Sequence, residues 1–115
     1  MHFYEFEIFL NKGWFILGEN VQQFEIDFAK YNQSNYFVGL ANGLDALRLI
    51  FKAYIELGVM VEGDEVIVPA NTYIATILSI IQADLVPVLV EPKLETYTIN
   101  PNLIAEKITN KTRSI

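Results

Sequence analysis

The chain is 115 residues long, 52% hydrophobic and only 19% charged, which supplies one packed core and excludes a disordered chain. Its formal net charge of -6, with few and scattered basic residues, excludes a nucleic-acid partner, because phosphate backbones are held mainly by Lys and Arg. With no cysteine and a single histidine, His2, disulfides, thiolate zinc sites, cysteine nucleophiles and a Ser-His-Asp triad cannot be built from this chain alone.

His2 reads as a solvated terminal residue, not a ligand. The opening MHFYEFEIFL lacks the basic segment and small-residue cleavage site of a secretion signal. Val66 to Val90 is the most apolar stretch, but Asn71, Asp84 and two prolines interrupt it, so it is not a membrane span. A soluble, cytoplasmic protein is expected.

Residues 1–17 are dense in aromatic and aliphatic side chains and read as an extended arm that other structure must cover. From Glu19, the residues Val21, Phe24, Phe28 and Tyr31 recur at helical spacing, and NQSN at 32–35 breaks the pattern. YFVGLA at 36–41 reads as a short buried strand. A second helix follows with an apolar stripe of Leu47, Ile50, Tyr54 and Leu57, stopped by Gly58.

The turn Gly63-Asp64 leads into the strand Val66-Ile67-Val68, which Pro69 ends because it cannot donate to a sheet ladder. Asn71 suits the N-cap of a helix running to about Gln82. LVPVLV at 85–90 reads as another strand, closed by Glu91-Pro92. Pro101 opens a last helix, through Ile108, at the favoured first position. TRSI at the end is where a further strand would begin.

Strands alternating with helices predict an α/β fold, with a mainly parallel sheet covered on both faces. A sheet cut at this point would keep an open edge, so the chain is expected to be an incomplete piece of a larger domain.

Open parallel sheets bind ligands beyond the carboxyl ends of their strands. At the first such end, ANGLDAL at 41–47, Gly43 allows close approach to the backbone. The N–H groups of Gly43, Leu44 and Asp45 would face an anion at the helix start. The plain alternative is a strand-turn-helix capped by Asn42 or Asp45. Neither a P-loop nor a dinucleotide fingerprint is present. At the second end, VPANTYIAT at 68–76, Tyr73 offers a plate for a flat ring or else ordinary packing. Together the two ends suit a planar, phosphorylated ring such as pyridoxal phosphate.

GWFILGENVQQFEIDFAKY, YFVGLANGLDALRL, GDEVIVPANTYIAT, LVPVLVEP and TYTINPNLIAEKITNKTRSI together resemble the DegT/DnrJ/StrS sugar aminotransferases, in order and spacing from about residue 8 to 115. NGLDAL, PANTYIA and VEP are most similar to members that aminate dTDP-linked keto-deoxysugars at the third carbon. The resemblance implies the fold-type I architecture, a three-layer α/β/α large domain of which this chain holds part. It also implies pyridoxal 5'-phosphate as cofactor, glutamate as amino donor, a nucleotide-linked keto sugar as acceptor, and a homodimer with sites at the subunit interface.

Carried over by position, Gly43, Leu44 and Asp45 would hold the cofactor phosphate through backbone N–H groups, and Tyr73 would stack on the pyridine ring. Many relatives have Thr where this chain has Leu44, so one hydroxyl contact is lost. The family's attaching Lys, its acidic partner for the pyridine nitrogen and its phosphate-binding Ser have no counterpart here. No catalytic residue is therefore assigned, and the isolated chain is expected to be inactive. Residues 1–17 are read as an arm and 18–115 as the first part of the cofactor-binding domain, with Trp14 in GWFILG at a site mouth or dimer contact. A regulatory relative without catalysis, or an unrelated nucleotide-binding module, stays open from sequence alone.

Overall fold

The computed structural model describes residues 3–115; His2 lies outside them. They form two compact units, one ending at Gly39 and the other spanning Leu40–Ile115.

The first unit is helical. α1, Phe3–Lys12, stands where an extended arm was expected. Phe3, Phe6 and Phe9 fall three residues apart and share a helix face, with the rings of Phe6 and Phe9 at 6.5 Å. Gly13, at φ +64°, ends the helix in the left-handed conformation that glycine adopts without penalty. α2, Glu19–Tyr31, follows the predicted periodicity. Lys12 Nζ lies 2.7 Å from Glu19 Oε2, and this hydrogen bond and charge hold the Glu19 carboxyl below the usual carboxylate range.

The predicted strand at 36–41 is not formed. Its residues are mostly exposed and no strand lies beside them among the described residues. An apolar run becomes a strand only when a neighbour accepts its backbone groups. Part of the segment returns instead to α2: Phe37 packs 4.5 Å from Phe28, and Gly39 N–H donates to Glu25 Oε1 at 2.7 Å.

The second unit is an α/β layer structure. α3 spans Gly43–Glu56, β1 Glu65–Pro69, α4 Ile74–Ile81, β2 Val86–Val90, α5 Pro101–Ile104 and β3 Thr112–Ser114. All three strands are parallel, in the order β2-β1-β3, with Glu65 facing Val86 on one side and Thr112 on the other. β2 and β3 lie on opposite sides of β1, and α4 packs against β1 and β2. The predicted parallel α/β arrangement is therefore present.

Phe51, Met60, Val66, Val68, Ile80, Ala83 and Leu85 form the core between α3, α4 and the sheet. Ile67, also buried, alternates to the other face. α3 turns Leu47, Phe51 and Ile55 inward, while Ile50, Tyr54 and Leu57 of the expected stripe are exposed. This helix is apolar around most of its girth, so two stripes compete in the sequence and only packing chooses between them. β2 is an edge strand, and Val86 and Leu89 are exposed, unlike the two-sided burial expected of it. α5 is one turn followed by a 3-10 turn at Ala105–Lys107, shorter than the predicted helix through Ile108.

Asp64 is buried at the amino edge of the sheet. Its Oδ2 accepts the Val61 N–H at 2.9 Å and lies 3.4 Å from Arg113 Nε, which ties the start of β1 to β3.

Candidate functional site

Two chain reversals meet the carboxyl edge of the sheet. α4 follows β1, so Tyr73 stands at that edge directly. The place of the α3 N-terminus follows from an ion pair. Lys52 Nζ lies 2.8 Å from Asp84 Oδ2, and Asp84 precedes β2 at the amino edge. Gly43 is nine residues earlier, about 13 Å along a helix at about 1.5 Å per residue. A five-residue strand spans about 16 Å at about 3.3 Å per residue. α3 therefore opens close to the level at which β1 ends.

At the start of α3, Asn42 is the N-cap, with extended backbone. Its Oδ1 accepts the Asp45 N–H at 2.9 Å, so one of the three amides expected to be free is engaged. The cause is ordinary: an Asn at N-cap satisfies the amide of the third helical residue. Gly43 and Leu44 keep N–H groups without a hydrogen-bond partner among the described residues. The helix dipole adds a partial positive charge at the same place. A β-carbon placed on Gly43 would meet no atom within 4 Å outside its own helix and chain neighbours.

The Asp45 carboxylate would repel an anion if left bare. Here it accepts from Asn42 Nδ2 at 2.9 Å and from Arg48 Nη2 at 3.1 Å, which offsets its charge. The Asp45/Arg48 spacing of three residues on one helix was a readable signal for this pair. The donor set at this end thus fits a phosphate: two open amides, a favourable dipole and a compensated acid.

Tyr73 is the N-cap residue of α4 and makes no side-chain capping bond. It is 79% exposed, so its ring is available as a surface and is not core packing. Asn71, expected to cap this helix, does something else. The backbone turns first, with Thr72 N–H donating to the Pro69 carbonyl at 3.1 Å, and the helix starts later. Asn71 Nδ2 then donates to the Tyr97 carbonyl at 2.9 Å. Tyr97 belongs to the loop between β2 and α5, closed by an isolated antiparallel bridge between Pro92 and Ile99. Sequence spacing carried no sign of this contact, because the partners are 26 residues apart.

One concavity lies within the first unit. It measures about 640 Å³ and is lined mainly by Phe3, Phe6, Phe9, Trp14, Phe15 and Phe24. Such a surface suits packing and supplies no convergent polar groups for chemistry. Among the described residues no group of His, Asp and Glu is arranged to hold a metal ion, and no helix is long and apolar enough to cross a membrane.

Residues 2–115 match the DegT/DnrJ/EryC1/StrS aminotransferase family. Over 106 residues the chain is 55% identical to the dTDP-3-amino-3,6-dideoxy-alpha-D-galactopyranose transaminase of Aneurinibacillus thermoaerophilus, covering 92% of this chain and 28% of that protein. Among solved structures, S. venezuelae DesV in complex with a ketimine intermediate is similar with a TM-score of 0.76 and 39% identity, over 92% of this chain and 28% of that one. The E. coli GDP-4-keto-6-deoxy-D-mannose-3-dehydratase with bound hydrated PLP is similar with a TM-score of 0.81 and 30% identity, over the same shares. The chain spans about 28% of the length of these relatives. Their fold is that of the fold-type I enzymes, and the parallel sheet described above is part of it. By sequence along nearly its whole length, and by fold, this chain belongs to the DegT/DnrJ/EryC1/StrS aminotransferase family.

Proposed function

We propose that the chain is a portion of a pyridoxal-phosphate-dependent aminotransferase that passes the amino group of glutamate to a nucleotide-linked keto-deoxysugar. The reading is supported by the two open amides at the start of α3 and by the exposed Tyr73 ring just past the end of β1. In this reading the whole enzyme is a cytoplasmic homodimer whose amino sugars serve surface polysaccharides. Residues 1–17 act as an arm, with Trp14 at a dimer contact or site mouth, and 18–115 form the first part of the cofactor-binding domain.

Each residue has a physical task. Gly43 and Leu44 donate their N–H groups to the cofactor phosphate, and Asp45 frames that end of the helix while Arg48 holds its charge. The Tyr73 ring lies against the flat face of the pyridine and excludes water from it. The bound cofactor supplies an electron sink that the protein's own side chains lack. None of the lysines here falls in the family's attachment motif, so the 115-residue chain alone is inactive.

The test uses the full-length protein with glutamate carrying heavy nitrogen and dTDP-, UDP- and GDP-linked keto sugars. Mass spectrometry should find the label in an amino sugar, with the dTDP-linked acceptor preferred. No transfer to any of them sinks the proposal.

Gly43→Ala separates binding from folding. The backbone there is not in the left-handed region and the added methyl meets open space, so stability should hold or rise by about 0.5 kcal/mol. The same methyl stands beside the open amides and should weaken pyridoxal phosphate binding about tenfold, or about 1.4 kcal/mol. Urea denaturation and cofactor titration read the two effects independently.

A further inference from the structure

Asn71 does not cap α4, and its amide reaches across to another loop. We propose that Asn71 is a positioning residue: by holding the Tyr97 carbonyl, it fixes the turn that aims the Tyr73 ring. The proposal rests on the reading of Tyr73 as the cofactor's stacking partner.

Three observations carry it. First, the backbone holds the turn through Ala70 N–H to the Val90 carbonyl at 2.8 Å and Thr72 N–H to the Pro69 carbonyl at 3.1 Å, and the Tyr73 carbonyl accepts the Thr76 N–H at 3.0 Å. These bonds stay within β1, β2 and α4 and do not reach the loop after β2. Tyr73 then serves as the N-cap residue of α4 and makes no side-chain capping bond. The nearby Thr72 hydroxyl bonds only forward, to Thr76 Oγ1 at 3.1 Å. Asn71 is thus the side chain of this turn that ties it to a separate segment.

Second, the acceptor is held in an unusual conformation. Tyr97 has φ +55°, a region that residues with a β-carbon seldom adopt. Its N–H donates to the Lys93 carbonyl at 2.8 Å, and Lys93 N–H donates to the Thr98 carbonyl at 2.9 Å. The loop therefore presents the Tyr97 carbonyl in one direction, and Asn71 Nδ2 meets it at 2.9 Å.

Third, the link lies outside the core. Asn71, Leu94 and Tyr97 are all exposed, so breaking it removes little buried area. A hydrogen bond kept at the surface, between two loops on the ligand-binding edge, shapes local geometry more than global stability.

The experiment uses the full-length protein. Asn71→Asp keeps the shape but replaces the donor with a carboxylate facing a carbonyl oxygen. It is compared with Tyr73→Ala. The readouts are the dissociation constant for pyridoxal 5'-phosphate, the circular dichroism induced in the bound ring, and amide exchange at Lys93 and Tyr97. We expect Asn71→Asp to raise the dissociation constant about fivefold, a fraction of the tenfold per about 1.4 kcal/mol scale. It should also at least halve the induced dichroism and speed exchange in the loop, with the denaturation midpoint unchanged.

Faster exchange with unchanged affinity and dichroism would mean that the link serves only the loop, which overturns the proposal. If Tyr73→Ala binds the cofactor like wild type, the stacking reading itself fails, a result distinct from that one.

Discussion

Ile80→Ala is expected to lower the unfolding free energy by about 3 kcal/mol, within the range of about 2–5 found for such core truncations. Ile80 has 0% exposure and sits in the cluster that joins α3, α4 and the sheet, beside Phe51, Val68 and Leu85. The substitution removes three carbons from a site that has no solvent to fill it. Its neighbours are held by strand register on one side and by helix packing on the other, so the cavity can close only in part. Ile80→Val, which removes one methyl, should cost about 1 kcal/mol. Urea denaturation of both variants gives the ratio directly. An alanine variant that loses less than the valine figure would show that α4 does not seat on this core. The effect reaches the site because Tyr73 is the N-cap residue of α4.

Tyr73→Ala should behave in the opposite way. The side chain is 79% exposed, so its loss should change folding stability by no more than about 0.5 kcal/mol. Cofactor affinity should fall far more. Offset stacking contributes about 0.5–1.5 kcal/mol beyond simple burial, and lost apolar contact brings the total to about 2 kcal/mol. That corresponds to about a 30-fold weaker dissociation constant. Tyr73→Phe keeps the ring face and should stay near wild type, because the stacking surface and not the hydroxyl is what the pyridine meets. Fluorescence or absorbance titration with pyridoxal phosphate distinguishes the three proteins. A phenylalanine variant as weak as alanine would move the role from the ring to the hydroxyl.

The parts of this structure that could be read in advance are those fixed by local chemistry. Gly58, Gly63 and Pro69 mark chain reversals whatever surrounds them, so the limits of α3 and β1 followed from sequence. Val66, Ile67 and Val68 are β-branched and lie in an element too short for a helix, and their burial followed too. The start of α3 was legible as well, because Asn42 before Gly43 and Asp45 has few other local uses.

What escaped depended on partners far along the chain. α1 is so rich in aromatics that its helical spacing was hidden among competing patterns. The run at 36–41 has strand composition but no neighbour to pair with among the described residues. The inward face of α3 was chosen by packing, since Ile50 and Phe51 are both apolar and one residue apart. Asp64 reads as an ordinary turn residue until Arg113 arrives beside it. At the site, the same locality explains the pattern: the amides were expected and two are open, but the capture of the Asp45 N–H by Asn42 and the reach of Asn71 to Tyr97 were settled by geometry.

One detail of the sheet bears on strand pairing at its edge. The Val86 N–H donates to the Asp64 carbonyl and the Val90 carbonyl accepts from Ala70, so the even-numbered residues of β2 point their backbone groups toward β1. The alternate residues, Pro87 and Leu89, point theirs outward. Pro87 has no N–H to offer there, and the outer rim of the sheet is left with a gap in its row of donors. A further strand pairing along this rim would meet that gap at Pro87, which breaks the ladder it could form.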